Sequence, residues 1–332
     1  MPERTPTVTR RRNLLISATA LIGLSLTAPA PAWSAEAPIP VVATFSILGD
    51  MVERIGGDRV AVTTLVGAHG DAHVYHPTPA DARAVSQAQI LVFNGLAFEG
   101  WLDRLVEASG FGGVRVVATD GIRPIRLEDD EDRHDDHAKD DHDHAARDDH
   151  ADEHDHGAFD PHAWQNLANA VIYVDNITAA LAKADPANAS AYYGNRAAYV
   201  AEIEALDAKI RKIVEGLPED RRTIVTAHDA FGYFSETYGL RFVAPTGVST
   251  ESDPSAADVA ALIRQIREEG IEAVFVESIT DQRLLEQIAD ETGASIGGTL
   301  YSDALSGPDG PASTYLDMMR HNVEMLAGAL SS

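Results

Sequence analysis

Short apolar runs alternate with segments of helical periodicity along most of the chain. Residues 40–45 and 60–66 are rich in β-branched side chains, which is typical of buried strands. Between them, residues 46–57 repeat apolar positions at helical spacing and end at two glycines. Strands that are apolar throughout, instead of alternating with polar residues, indicate a parallel sheet covered by helices on both faces.

The same pattern predicts further elements on both sides of an acidic stretch. The predicted strands are 40–45, 60–66, 89–94, 114–118, 223–227, 241–244, 273–277 and 295–298. The predicted helices are 46–57, 79–88, 99–109, 166–183, 187–215, 230–238, 256–269, 282–292 and 313–330. We therefore expect an α/β fold of two Rossmann-like lobes with parallel sheets, joined by a long rigid helix, with a metal-binding cleft between the lobes.

The expected organisation has four parts. They are a signal peptide at 1–36, an N-terminal lobe at 37–186, a linking helix at 187–216 and a C-terminal lobe at 217–332. A disordered loop rich in His and Asp, at 128–157, interrupts the first lobe.

The N-terminus has the three-part pattern of a signal peptide. Arginines at 10–12 precede an apolar run over residues 14–28, and the cleavage site is either Ala30-Pro31-Ala32 or Ala35-Glu36-Ala37. The run is short for a membrane span, so an uncleaved anchor is the weaker interpretation. Paired arginines also fit a twin-arginine signal. We expect export to the periplasm by the Sec or twin-arginine route, and not a lipoprotein, because the sequence contains no cysteine.

Composition narrows the chemistry further. The net charge is −26, which argues against nucleic acid as a partner and suits the attraction of cations. Without cysteine, a transition-metal site must use His, Asp, Glu or water.

The acidic loop at 128–157 is the most conspicuous metal-binding feature. Twelve Asp and three Glu accompany its seven histidines, which are His134, His137, His142, His144, His150, His154 and His156. With almost no apolar residues, the loop cannot hold its ligands in one arrangement. We expect weak, exchanging metal contacts there, with a merely solvated acidic loop as the alternative.

Four other residues lie where a predicted strand gives way to a loop. His73, His162 and His228 occupy such places in the two lobes, and Asp303 follows the last strand. Ligands of open α/β sheets collect at the carboxyl ends of strands, so one cleft would bring these side chains together. Three imidazoles and one carboxylate complete a four-coordinate shell, which favours holding an ion over activating water. A single histidine at such a place is more often structural or exposed, and Asp303 alone could be a turn or helix cap. The occurrence of three histidines at equivalent places favours a shared site.

The motifs around these residues resemble the cluster A-I, or cluster 9, solute-binding proteins of zinc and manganese ABC importers. They read HVYHPTPAD at 73–81, DPHAW at 160–164, TAH at 226–228 followed by FGYF at 231–234, and YSD at 301–303. The sequences of two segments, GDAHVYHPTPAD and TAHDAFGYF, resemble the zinc-binding AztC-type branch most.

The resemblance implies a function as well as a fold. It implies His73, His162, His228 and Asp303 as ligands of transported Zn²⁺, a membrane permease as partner, and an accessory metal-collecting role for the acidic loop. Manganese members often carry Glu at the third position, so His228 favours zinc over manganese. A monomer is expected, and a periplasmic metallochaperone is a further candidate partner.

Three neighbouring residues complicate this assignment. His69 and His76 flank His73 and are competing ligands. Glu277 ends a strand facing the predicted cleft, where it either orients a ligand imidazole or is a simple strand-end acid.

Two other classes of protein remain open from the residues alone. A zinc hydrolase would keep one metal position for water, although the sequence has no HExxH motif. A periplasmic zinc buffer or chaperone would use the acidic loop by itself.

Overall fold

The structure is a computed structural model that describes Met1, residues 37–127 and residues 158–331. The predictions for the signal peptide and for the acidic loop with its seven histidines therefore lie outside the described residues, apart from Met1. No helix in the described part of the chain is both long and apolar enough to cross a membrane.

The first half forms a four-stranded parallel sheet. Its strands are β1 (Ile39–Phe45), β2 (Val60–Val66), β3 (Ile90–Phe93) and β4 (Val114–Val117), in the order β2-β1-β3-β4. Its helices are α1 (Ser46–Gly56), α2 (Pro79–Gln87) and α3 (Leu102–Ser109). The central strands β1 and β3 are almost wholly buried, because helices cover both faces of the sheet.

The second half repeats this arrangement. Its strands are β5 (Thr223–Val225), β6 (Arg241–Val243), β7 (Ala273–Glu277) and β8 (Ser295–Leu300), in the order β6-β5-β7-β8, and all pairings are parallel. Its helices are α6 (Gly232–Tyr238), α7 (Ala256–Glu269) and α8 (Arg283–Thr292).

Three further helices hold the two halves together. They are α4 (Leu167–Ala184), α5 (Ala189–Glu215) and α9 (Tyr315–Leu330). Helix α5 has 27 residues, about 40 Å at 1.5 Å per residue. It packs on α1 and α4 at one end and on α6 and α9 at the other, so it contacts both sheets' helices. The α/β fold with two parallel sheets and a long helix is thus confirmed, while the exact domain boundaries stay a prediction.

Every strand and helix predicted within the described residues is present, with ends that differ by at most three residues. Helix α3 begins at Leu102 instead of at 99 for a local reason. Residues 95–97 all have positive φ angles, and the carboxylate of Glu99 accepts hydrogen bonds from the backbone N–H groups of Asn94 and Gly95. The chain therefore makes a tight loop before the helix begins.

Candidate metal centre

The four predicted ligands meet in one place. His73 lies in the loop after β2, His162 in the segment leading to α4, His228 directly after β5, and Asp303 directly after β8. All four are buried, and one potential ligand atom from each lies within 4.8 Å of all the others. Within each sheet the parallel strands end at the same edge, which places His73 at the end of the first sheet and both His228 and Asp303 at the end of the second. His162 is placed by the segment that leads to α4.

The distances between donor atoms match a small coordination shell. Nε2 of His73 lies 3.3 Å from Nε2 of His162, and Oδ2 of Asp303 lies 3.2 Å from Nε2 of His228. Oδ2 of Asp303 also lies 3.3 Å from Nε2 of His73, and its other oxygen, Oδ1, lies 3.6 Å from Nε2 of His162. A tetrahedron with metal–ligand bonds of about 2.0–2.1 Å has edges of about 3.3 Å. Three of the distances above are close to this edge length, and all four donor atoms lie within 4.8 Å of one another, so they surround a space of the size that a zinc ion occupies.

One carboxylate oxygen of this cluster has no hydrogen-bond partner among the residues that the structure describes, and a bound cation would provide the missing interaction. That atom is Oδ1 of Asp303, and Nε2 of His162 lies 3.6 Å from it. A buried carboxylate oxygen in that condition is costly. Coordination of a divalent ion by the cluster removes that cost.

A carboxylate holds each ligand histidine by its backbone N–H. The N–H of His162 donates to Asp160, and that of His73 donates to Asp71, both at 2.9 Å. In each case the aspartate precedes the histidine by two residues, the spacing of an Asx-type turn. In the second half, Glu277 accepts from the N–H of His228 at 2.9 Å.

Two of the three carboxylates also face the ring of the histidine. Oδ1 of Asp160 lies 2.8 Å from Nδ1 of His162, and Oε2 of Glu277 lies 2.8 Å from Nδ1 of His228. The contact of Asp160 is a hydrogen bond, whereas that of Glu277 is a close ion pair whose angles fall outside those of a hydrogen bond. A carboxylate this close to Nδ1 favours a proton on that atom, which leaves Nε2 to bind metal. The second oxygen of Asp71 instead accepts a hydrogen bond from Thr250 of the other half, at 2.6 Å.

Electrostatics within the cluster favour charged groups despite full burial. Burial by itself lowers the pKa of His162, but the charge of Asp303 and the contact with Asp160 outweigh it and raise that pKa to about 9. The same opposition, with the charges of Glu277 and Asp303 prevailing, raises the pKa of His228 well above its ordinary value. Burial would raise the pKa of Asp303, yet the charges of His228 and His162 hold it well below its usual range.

Aromatic side chains line one side of the site. Phe98 lies edge-on to His73, with ring centroids 4.7 Å apart, and packs on Trp164 at 4.9 Å. Trp164 in turn lies 5.3 Å from His162 and donates its indole N–H to the carbonyl of Ser302. These rings limit rotation of the imidazoles and keep water away from that side.

The two competing histidines lie outside the cluster. His69 has a φ angle of 57° and its Nε2 accepts from the N–H of Gly307, and His76 is exposed with Nδ1 2.8 Å from the carbonyl of Val74. Among the described residues, neither belongs to the group of closely spaced ligands.

Sequence reasoning missed three residues of this site. Asp160 and Asp71 each stand two residues before a ligand, so the repeated pattern Asp-x-His was a usable signal. Phe98 had no comparable signal, because its contact with His73 depends on the tight loop before α3.

Two parallel α/β halves around a buried centre of three histidines and one aspartate define a metal-binding solute-binding protein. The sequence profile of the family described as zinc-uptake complex component A, periplasmic (ZnuA), matches residues 41–329, and the chain belongs to this family.

Two relatives that are named for the metals they bind are similar over most of their length. The manganese-binding lipoprotein MntA of Halalkalibacterium halodurans is 32% identical over 88% of this chain and 89% of its own length. The iron-binding protein YfeA of Yersinia pestis is 32% identical over 86% of this chain and 85% of its own.

Solved structures agree with the fold. The periplasmic zinc binding protein TroA from Treponema pallidum superimposes with a TM-score of 0.77 at 29% identity, covering 89% of this chain and 99% of that one. A manganese-bound periplasmic metal binding protein from Candidatus Liberibacter asiaticus gives 0.72 at 32% identity, covering 87% and 98%.

The family defines the general function. The protein is a non-enzymatic, extracytoplasmic solute-binding protein of a metal ABC importer, and its partner is the permease of that transporter. Its buried site of three histidines and one aspartate binds a divalent metal, zinc or manganese. The hydrolase interpretation is thereby set aside. The relatives include both lipoproteins and periplasmic proteins.

Proposed function

We propose that the cargo is Zn²⁺ and that His73, His162, His228 and Asp303 are its ligands. The carrying observation is the convergence of three imidazole nitrogens and one carboxylate at tetrahedral spacing. Imidazole suits zinc, whereas manganese prefers an oxygen-rich shell and binds nitrogen sites more weakly. Of the two interpretations of Glu277, we propose that it orients a ligand imidazole, that of His228, because its carboxylate lies 2.8 Å from Nδ1 of that ring.

Zinc selectivity is tested by competition. The purified protein is stripped with a chelator, exposed to equal concentrations of Zn²⁺ and Mn²⁺, desalted, and analysed for bound metal. We expect one zinc per chain and little manganese. Manganese in the majority at equal concentration would refute the zinc assignment while leaving the binding-protein class intact.

The ligand assignment is tested by substitution of single histidines. His228→Ala should reduce tight zinc binding at least 100-fold, because a buried ligand and its charge balance are lost. His76→Ala is the matched control, since His76 is an exposed histidine outside the cluster. Equal effects of both substitutions would contradict the assignment.

The acidic loop at 128–157 is assigned an accessory role. Its seven imidazoles among fifteen acidic side chains raise the local concentration of metal near the cleft without setting the final affinity. Deletion of residues 129–156 should abolish weak additional zinc binding and preserve one tight site. Loss of the tight site would instead favour a zinc buffer that uses the loop alone.

Within the family, we place the chain in the zinc-binding AztC-type branch, on the wording of GDAHVYHPTPAD and TAHDAFGYF. We also propose that the protein works as a monomer in the periplasm after cleavage of residues 1–36, and that a metallochaperone is a further donor of zinc. Mass spectrometry of the secreted protein checks the cleavage site.

A further inference from the structure

A loop of the second half crosses the mouth of the metal cleft. We name residues 244–254, which follow β6, the strap. Its first part runs beside the ligand His228, because Thr246 pairs with His228 as an isolated parallel bridge. The N–H of Asp229 also donates to the carbonyl of Gly247 at 3.2 Å. The strap is thus fixed to the backbone that carries one of the metal ligands.

The far part of the strap contacts the other half of the protein. The hydroxyl of Thr250 donates to Oδ2 of Asp71 at 2.6 Å, while Oδ1 of Asp71 holds the backbone N–H of the ligand His73. Within residues 37–127 and 158–331, no other hydrogen bond joins the strap to the first half. The carboxylate of Asp71 therefore connects the loop that carries His73 in the first half to the strap, which is paired with the backbone of His228 in the second half.

The strap also divides the opening above the site. A groove of about 960 Å³ on one side is bordered by His73, and a cavity of about 250 Å³ on the other is bordered by His228. Ser252 of the strap borders both. Displacement of the strap would merge these two openings directly over the ligands.

Asp71 differs from the other carboxylates in a way that fits this position. Asp160 and Glu277 use a second contact to face Nδ1 of their own histidines. Asp71 has the same spacing to its histidine as Asp160, yet its second oxygen is committed to Thr250 across the cleft. The contact therefore links the strap to the loop that carries His73.

We propose that the Thr250–Asp71 hydrogen bond sets the lifetime of the bound metal, with Asp71 acting as a positioning residue for His73. The inference rests on the proposed function, since it concerns metal held at that site. Release then begins with the loss of this bond, which frees the strap and relaxes the loop of His73 together.

The experiment measures the rate of zinc dissociation from the full chain, by stopped-flow mixing of zinc-loaded protein with an excess of chromogenic chelator. Thr250→Val removes the donor at nearly constant volume and should raise this rate about tenfold, since bonds to charged acceptors contribute more than neutral ones. Thr250→Ser restores the hydroxyl and should restore the wild-type rate. Ser252→Ala is the matched control, because it alters the same strap at a residue that makes no hydrogen bond within residues 37–127 and 158–331.

A double-mutant cycle separates the bond from general loosening. Asp71→Ala should raise the rate at least as much, and adding Thr250→Val to it should change nothing further. Additive effects, or an unchanged rate in Thr250→Val, would overturn the inference. Equal unfolding temperatures of the metal-free variants exclude misfolding as the cause of a faster rate. A lower unfolding temperature of Thr250→Val that Thr250→Ser does not restore would also overturn the inference. Absence of stoichiometric zinc in the wild type would overturn the proposed function itself.

Discussion

Replacement of Glu277 by glutamine should weaken zinc binding without unfolding the protein. Glu277 is fully buried at the end of β7, and its Oε1 accepts from the N–H groups of Ala227 and His228 at 2.8 and 2.9 Å. Its Oε2 lies 2.8 Å from Nδ1 of His228. A glutamine keeps one oxygen for the two backbone donors but turns an amide NH₂ toward Nδ1. Because two N–H groups cannot face each other, His228 must move its proton to Nε2, the atom that binds metal.

The size of the effect follows from this change of tautomer. Loss of a carboxylate partner from a ligand histidine typically costs about 10–100-fold in metal affinity. That range corresponds to about 1.4–2.8 kcal/mol, which is also the usual contribution of a hydrogen bond to a charged group. We therefore expect Glu277→Gln to raise the dissociation constant for zinc by about 10–100-fold at neutral pH.

The assay is a competition titration against a chelator of known affinity, at constant ionic strength. Glu286→Gln is the control, because Glu286 is an exposed carboxylate on the neighbouring helix α8. Circular dichroism establishes that both variants are folded. An unchanged dissociation constant for Glu277→Gln would show that this carboxylate does not set the tautomer of His228.

Three further predictions concern protons, packing and metal. His162 has a pKa near 9 in the folded, metal-free protein against an ordinary 6.5, so its stabilising effect is complete below about pH 6.5 and is lost as the pH rises through 9. Thermal unfolding of metal-free protein should show this decline, and calorimetry in buffers of different ionisation enthalpy should detect proton release when zinc binds at pH 7. Gly232→Ala would place a Cβ 2.4 Å from Oδ2 of Asp160, so it should displace that carboxylate and weaken zinc binding several-fold in the same titration; unchanged affinity would contradict this contact. Zinc at 1,000 times its dissociation constant should stabilise the folded protein by about 4 kcal/mol, seen as a rise in unfolding temperature that Asp303→Asn abolishes; a rise that persists in the variant would argue against Asp303 as a ligand.

The sequence predicted the fold well because the apolar runs are long and unbroken. Strand 273–277 is bounded as predicted, since a fully buried parallel strand contains few polar residues. Strand 60–66 is also bounded as predicted, although it is an edge strand with partly exposed residues, because its side chains are mostly β-branched. The predicted ends of strands and helices are wrong where a contact with a distant side chain, and not the local sequence preference, ends the element. Strand β5 stops at Val225 instead of at 227, because Glu277 takes the N–H groups of Ala227 and His228 away from the sheet.

The site was predictable to the level of its four converging side chains, and less so beyond them. The position of His73 after a strand and its match to the family's sequence motif were enough to select it over His69 and His76. Of these three histidines, the structure brings only His73 into the cluster. The partners that hold the imidazoles depend on distances across the fold. The bond from Thr250 to Asp71 joins residues 179 positions apart, and no local pattern announces such a pair.

Each metal donor in this protein is attached to a separate segment of backbone. His228 follows β5 and Asp303 follows β8, while His73 and His162 belong to two different loops of the first half. Exchanging a single donor for one of another chemical type therefore leaves the ladders of both sheets intact. Such a scaffold can change its metal selectivity by single substitutions, and each intermediate sequence still folds.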